Sequence, residues 1–334
     1  MSRKLASIQR ILNLSPIEGA EFIEKATVLG WHCVVKKGDF QAGDLVVYLE
    51  IDSILPPKPE FEFFNGKYSK VKTIKLRGQV SQGLVMPVSQ VPDLVGMELE
   101  EGMDLTDLIG VVKFEPVVPA ELAGVARGPF PHFLPKTDET RVQTLQGLLT
   151  KYKGTMCYVA EKIDGSSATY YYRMGEFGSC SRNLDLLETE TNTFWTVARA
   201  LDLEGKMKGL GKNICFQGEL YGSSIQKNKY QVRGQALVFF NVFDIDAHRF
   251  YDFEEFEGLM KELGLPMVPI VDRAFVLVDD IDALVEMSKG QSGLNKQIHR
   301  EGIVIRPLKE KNDAELGRVS FKAINPNFLL KYEE

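Results

Sequence analysis

The chain has 334 residues, of which 44% are hydrophobic and 26% charged, with a formal net charge of −6. Those proportions match soluble globular proteins and exclude disordered, collagen-like and low-complexity classes, and the length suits about two domains at roughly 150 residues each. The four cysteines and four histidines are scattered, which leaves no disulfide framework, C-x-x-C redox site or zinc pattern. No apolar run approaches the ~18 residues of a membrane helix, and the opening MSRKLASIQR lacks the apolar stretch of a signal peptide, so a cytoplasmic protein is expected.

From Leu5 to about Glu115 the chain reads as short strands broken by Gly, Asp and Pro, with turns at Gly38-Asp39 and Gly43-Asp44 between β-branched and aromatic residues. Val117 to Pro135 is rich in Pro, Gly and Ala without a period and reads as a linker. The expected division is therefore 1–116, a 117–135 linker and 136–334. Val142, Leu145, Leu148, Leu149 and Tyr152 then recur at helical spacing up to Gly154, which predicts a helix, with Arg141 at its start. Beyond it apolar strands alternate with amphipathic helices. The expected strands are Cys157 to Glu161, Ala168 to Tyr172, Ile214 to Tyr221, Ala236 to Ile245, Gly302 to Arg306 and Val319 to Ile324. The expected helices are Thr189 to Leu201, Phe253 to Leu263 and Asp280 to Lys289. The Phe256, Leu259, Met260, Leu263 stripe is the core face of its helix.

Several charges stand where apolar strands begin or end: Glu161-Lys162 ahead of Ile163-Asp164-Gly165, Glu219, Asp244, Glu301 and Lys322, with Ser181-Arg182-Asn183 ahead of a helix. Strand interiors bury both faces while strand ends stay wet, so such charges tend to converge on a cleft. Each is also compatible with an ordinary surface position. K-x-D-G alone is a weak signal, and it is the ordered set that carries weight.

In that order the motifs resemble the covalent nucleotidyltransferases, the polynucleotide ligases and messenger-RNA capping enzymes, over roughly Thr137 to Lys331. The resemblance implies that Lys162 attacks the α-phosphate of a nucleoside triphosphate and becomes a lysyl-nucleotide phosphoramidate. It places Glu161, Asp164, Arg182, Glu219, Phe243 and Lys322 around the nucleotide, with Phe243 stacked on the base, Glu219 at the ribose and Lys322 at the α-phosphate. Arg141 is expected to grip the β- and γ-phosphates. A lysine with an ordinary pKa of ~10.4 is protonated at neutral pH and cannot attack phosphorus. Asp164 alone would hold that proton in place, so discharge needs nearby positive charge: Lys322, Arg182 or a divalent cation. Mg²⁺ or Mn²⁺ held by Glu219, Asp244 and Glu301, directly or through water, would supply it. One departure stands out. Many ligases carry K-x-K in the last motif, whereas here Lys322 is followed by Ala323 and Ile324.

Ile17 to Pro56 looks like an oligonucleotide-binding (OB) barrel of the kind found in transfer-RNA-binding domains, and only 12 residues (334 − 322) follow Lys322. The expected fold is thus α+β, an N-terminal OB-type β-barrel ahead of a nucleotidyltransferase domain of antiparallel sheets flanked by helices. An OB barrel in front of the catalytic domain, rather than behind it, resembles the ATP-dependent RNA ligases that seal nicks carrying a 3′-ribonucleotide. RNA is then the implied partner and ATP with Mg²⁺ or Mn²⁺ the implied cofactors. Lys67, Lys70, Lys72, Lys75 and Arg77, with Tyr68 among them and no acid from Gly66 to Gly78, form an RNA-backbone strip or a guarded sheet edge. A GTP-using capping-type guanylyltransferase and a non-catalytic RNA-binding protein are the alternatives.

Overall fold

A computed structural model describes residues 3–65, 70–114 and 126–332. The chain divides into two compact units, one of Met1–Val117, Val142–Gly147 and Pro326–Glu334, the other of Val118–Arg141 and Leu148–Asn325. Among the described residues no helix is long and apolar enough to cross a membrane.

In the first unit β1 (Ala6–Pro16), β2 (Ile23–Val28), β3 (Trp31–Lys36) and β4 (Leu45–Leu49) are followed by a hairpin of β5 (Ile74–Leu76) and β6 (Gln79–Ser81), and then β7 (Leu84–Pro87). The five-stranded sheet runs β3-β2-β1-β4-β7. Its inward positions, among them Ile8, Ile11, Val28, Trp31, Val47 and Leu49, form one apolar core. The sheet curls into an OB-type barrel because the free edge of β3 is taken up again just before β7: the Gln82 N–H donates to the His32 carbonyl at 2.8 Å, and the Val34 N–H to Ser81 Oγ at 2.9 Å. Gly83 is obligatory at this closure, since a Cβ there would meet the Tyr48 ring at 2.4 Å. The basic strip lies on the adjoining hairpin. Lys75 and Arg77 are exposed and Lys72 is half-buried. Lys70 is a correction: it is 8% exposed with its ammonium 4.4 Å from the centre of the Phe114 ring, so its stem is packed into the unit rather than presented to a ligand. Lys67 and Tyr68 lie outside the described residues.

Besides a two-stranded ribbon of Asn312–Asp313 and Gly317–Arg318, the second unit holds two larger sheets. Their strands are β8 (Ala126–Pro129), β9 (Thr140–Arg141), β10 (Met156–Lys162), β11 (Ser166–Arg173), β12 (Glu176–Cys180), β13 (Leu184–Leu186), β14 (Ile214–Gly222), β15 (Gln235–Asp244), β16 (Arg249–Phe250), β17 (Ile270–Val276), β18 (Gly302–Pro307) and β19 (Phe321–Ile324). One sheet has seven strands, β8-β13-β12-β11-β14-β15-β16, and the other five, β9-β19-β18-β10-β17. The apolar core lies on one face of the seven-stranded sheet, where Tyr170, Phe216 and Phe239 pack against Trp195 and Ala198 of one helix (Thr193–Ala200) and Phe256 and Met260 of another (Phe253–Glu262). The first of these helices starts later than its apolar pattern suggested because Asn192 caps it, accepting the Phe194 N–H at 3.0 Å. Gly264, at φ 61°, ends the second.

Arg141 is not helical. It pairs in parallel with Lys322, as Thr140 does with Phe321, and the helix begins only at Gln146 after a 3₁₀ turn at Val142–Thr144. A buried ion pair fixes this arrangement. Arg306, 2% exposed, donates to Glu139 at 2.8 Å and to Ser320 Oγ at 2.8 Å. Burial would raise the Glu139 pKa, but the Arg306 and Arg318 charges outweigh it and hold it down at about 2. Segment 138–141 is therefore tied to β18 and β19 by a charge that cannot be left unpaired.

Candidate active site

Lys162 is the last residue of β10 and pairs with Gly302, the first residue of the antiparallel strand β18. Antiparallel pairing brings the end of one strand to the beginning of its neighbour, so Glu301, just ahead of β18, meets Lys162, and the Lys162 ammonium donates to its carboxylate at 2.8 Å. Gly302 permits this crowding: a Cβ there would meet the Ala323 carbonyl oxygen at 2.3 Å.

The turn after Lys162 explains the residue types of K-x-D-G. A Cβ on Gly165 would strike the Leu220 carbonyl oxygen at 2.3 Å. Glycine therefore lets the turn lie against β14, where the Gly165 N–H donates to Glu219 Oε1 at 3.1 Å. Asp164 faces the loop that joins β14 to β15. Its N–H donates to the Tyr230 hydroxyl at 2.8 Å, and its carboxylate is ion-paired with Lys229. On the other flank Lys322 lies 3.7 Å from Asp138, which also accepts from Arg182 at 2.9 Å. A cavity of about 230 Å³ opens beside Asp138, lined by Lys136, Glu139, Asn241, Arg318 and Ser320 among others.

The electrostatics follow from burying several charges together. Glu219 is pushed up to about 8 by burial and by the neighbouring Glu301 and Asp164 carboxylates, with Lys162 opposing. Burial and Asp164 likewise raise Glu301, again against Lys162. Burial alone would lower Lys162, but Glu301, Glu219 and Asp164 outweigh it and the net shift is upward. Lys322 moves the other way, down to about 8, through burial and repulsion from Lys162 and Arg141. The arrangement thus has a surplus of carboxylate, which retains protons and keeps Lys162 charged. A divalent cation would relieve that surplus, so Glu219 and Glu301, with Asp164 beside them, fit such an ion. Among the described residues no three acidic, His or Cys side chains stand at direct-ligand spacing, so an ion here would keep part of its water shell.

The structure brings Lys162, Asp164, Glu219, Glu301, Lys322 and Arg141 together and joins Arg182 to them through Asp138. Three expected residues are placed elsewhere. Asp244 pairs with Ile214, five residues from Glu219 and so roughly 17 Å along the strand, and it accepts the Ala247 N–H at 2.9 Å to close a turn. It does not join Glu219 and Glu301 around an ion. Phe243 pairs with Cys215 and is 2% exposed among Leu134, Tyr171 and Cys180, edge-on to Phe250 at 5.0 Å, which leaves no face for a base. Glu161 points to the opposite side of β10 from Lys162, as strand alternation requires, and its carboxylate accepts the Gly293 N–H at 2.6 Å. Sequence reasoning missed Asp138, Lys229 and Tyr230. For the last two a signal existed: no acid occurs between Glu219 and Asp244, while Lys227, Lys229 and Arg233 do.

An OB-fold domain model matches residues 5–88 and an RNA ligase model matches residues 156–324. No curated protein matches the chain. Among solved structures, Naegleria gruberi RNA ligase in a lysine-to-alanine mutant with ATP and Mn is 37% identical, covers 99% of this chain and 99% of its own, and has a TM-score of 0.89. The same Naegleria ligase with PPi, and a glutamate-to-alanine mutant of it with AMP and Mn, match to the same extent.

Proposed function

The chain belongs to the RNA ligase family, and on that premise we propose that it joins RNA 3′-hydroxyl and 5′-phosphate ends with ATP through a lysyl-AMP intermediate. The observation that carries this reading is the convergence of Lys162 on Glu301 at 2.8 Å, with Glu219, Asp164 and Lys322 arriving from separate strands and turns.

In the first step the Lys162 nitrogen forms a bond to the α-phosphorus of ATP, the bond from that phosphorus to the bridging oxygen breaks, and pyrophosphate leaves. Before it can do so Lys162 must lose a proton, and its hydrogen-bond partner Glu301 is placed to receive it. Lys322 and Arg141, adjacent in register, face the phosphates and offset the charge that grows on them. Mg²⁺ or Mn²⁺, held by Glu219 and Glu301 through water, would lower the lysine pKa and screen the α-phosphate. The AMP then passes to the RNA 5′-phosphate, and the 3′-hydroxyl displaces it to form the phosphodiester.

For the base we turn from Phe243 to Phe240. Phe239 is fully buried in the core, whereas Phe240 is half-buried and sits in the β-bulge opposite Gln217 and Gly218. It lies two residues past Val238, the partner of Glu219, about 7 Å along the strand and within reach of one nucleotide. Among the described residues of the basic strip, Lys72, Lys75 and Arg77 have side chains open to RNA phosphates.

Incubation of the wild-type protein and Lys162→Ala with α-labelled ATP or GTP and Mn²⁺, followed by denaturing electrophoresis, tests the reading. Label from ATP should stay on the wild type and be absent from the variant. Label kept by the variant, or taken only from GTP, would overturn it.

A further inference from the structure

The loop between β14 and β15 does more than connect them. Five of its non-glycine residues, Ser224, Gln226, Lys227, Asn228 and Gln231, have φ between 45° and 66°, a region that side chains with a Cβ rarely adopt and that persists only where surrounding contacts impose it. Those contacts are on the inner side. Gln226 donates to the Gly165 carbonyl at 3.4 Å, the Tyr230 hydroxyl accepts the Asp164 N–H at 2.8 Å, and Lys229 pairs with the Asp164 carboxylate. The Tyr230 carbonyl in turn accepts from Asn295 at 3.0 Å. Within the loop the Asn228 side chain bonds the Val232 backbone in both directions, at 2.9 Å and 3.1 Å. One side of the loop is therefore bound to the turn that follows the nucleophile.

The loop is also cationic. Two of its cations, Lys227 and Arg233, are exposed, and no acidic residue occurs from Leu220 through Phe243. An ordered loop that carries exposed cations and is bonded to the turn after the reacting lysine suits a polyanion whose end must be brought to that lysine. Resting on the RNA-joining reading, we propose that the Gly222–Gly234 loop is an RNA-contacting surface in which Lys227 and Arg233 each take a backbone phosphate near the end being joined. Contacts to phosphate fix register without reading sequence, which is what an end-joining enzyme requires of them.

The test is RNA affinity against salt, using fluorescence anisotropy with a labelled nicked RNA duplex. Each phosphate contact contributes about 0.9 to the slope of log K against log salt. The Lys227→Ala/Arg233→Ala double variant should therefore lose roughly 1.8 from the slope and bind about 60-fold more weakly at 0.1 M salt. The charge-keeping Lys227→Arg/Arg233→Lys variant should bind as the wild type does, with thermal unfolding confirming that both variants are folded. A folded alanine variant with unchanged affinity and slope would overturn the proposal while leaving the RNA-joining reading intact. A wild-type protein that binds no RNA would overturn both.

Discussion

Replacing Phe243 and Phe240 one at a time separates two roles that the sequence merged. Phe243 is 2% exposed and packed on all sides, so Phe243→Ala removes a buried ring and leaves a cavity, a loss of about 3–5 kcal/mol. In a unit of this size each kcal/mol moves the unfolding midpoint by roughly 2–4 °C, so a fall of about 6–20 °C is expected. Because no face of Phe243 is open, the KM for ATP of the protein that remains folded should stay within about twofold. Phe240→Ala should do the reverse. Loss of an aromatic–base stack costs about 1–3 kcal/mol, which is roughly a 5- to 150-fold rise in the KM for ATP, while its half-buried ring costs less in stability. Thermal unfolding and self-adenylylation over a range of ATP concentrations read both quantities. A Phe243→Ala protein of normal stability and raised KM would refute the placement of the nucleotide.

Further expectations concern the charges around Lys162. Glu219 is raised from 4.5 to about 8, so its proton stabilises the fold fully below about 4.5 and this contribution is lost as pH climbs through about 8. In EDTA, Glu219→Gln should flatten the fall in unfolding temperature over that window, and parallel wild-type and variant curves would contradict the shift. Lys229→Met takes away the partner of the Asp164 carboxylate and should slow self-adenylylation by about tenfold or more with the KM for ATP unchanged, Lys229→Arg restoring the rate; such removal leaves a partly buried charge unpaired. A Cβ at Gly165 meets the Leu220 carbonyl oxygen at 2.3 Å, so Gly165→Ala should displace the turn and abolish label transfer in a protein that still folds; full activity would show that the close approach is dispensable. On the barrel, Lys75→Glu/Arg77→Glu should reduce RNA affinity and its salt dependence, whereas Lys70→Met should reduce stability instead, and the opposite pattern would exchange their roles.

The strands were legible because apolar runs with charged ends state their own limits, and Lys162, Glu219, Glu301 and Lys322 all lie at such ends. Which end of the sheet a charge occupies was not legible. Glu219 stands toward the end of β14 and Asp244 at the end of β15, and since these neighbours run antiparallel their ends lie at opposite edges of the sheet. Phe240 lies two residues from Val238, the partner of Glu219, whereas Phe243 lies five residues from it and pairs with Cys215. Arg141 was drawn into a helix by the apolar spacing that begins at Val142. Its pairing with Lys322 depends on a strand far along the chain, and such tertiary pairing overrides local pattern. Lys70 could not be told from its neighbours, because the ring that covers it, Phe114, is equally remote.

The Lys162 Nζ is the atom proposed to take the nucleotide. Wild-type protein loaded with ATP and Mn²⁺, digested under alkaline conditions that preserve phosphoramidates and analysed by tandem mass spectrometry, identifies the modified residue directly. AMP on the Lys162 side chain is the predicted result, and AMP found on Lys322, Lys229 or any other residue in its place would contradict the assignment.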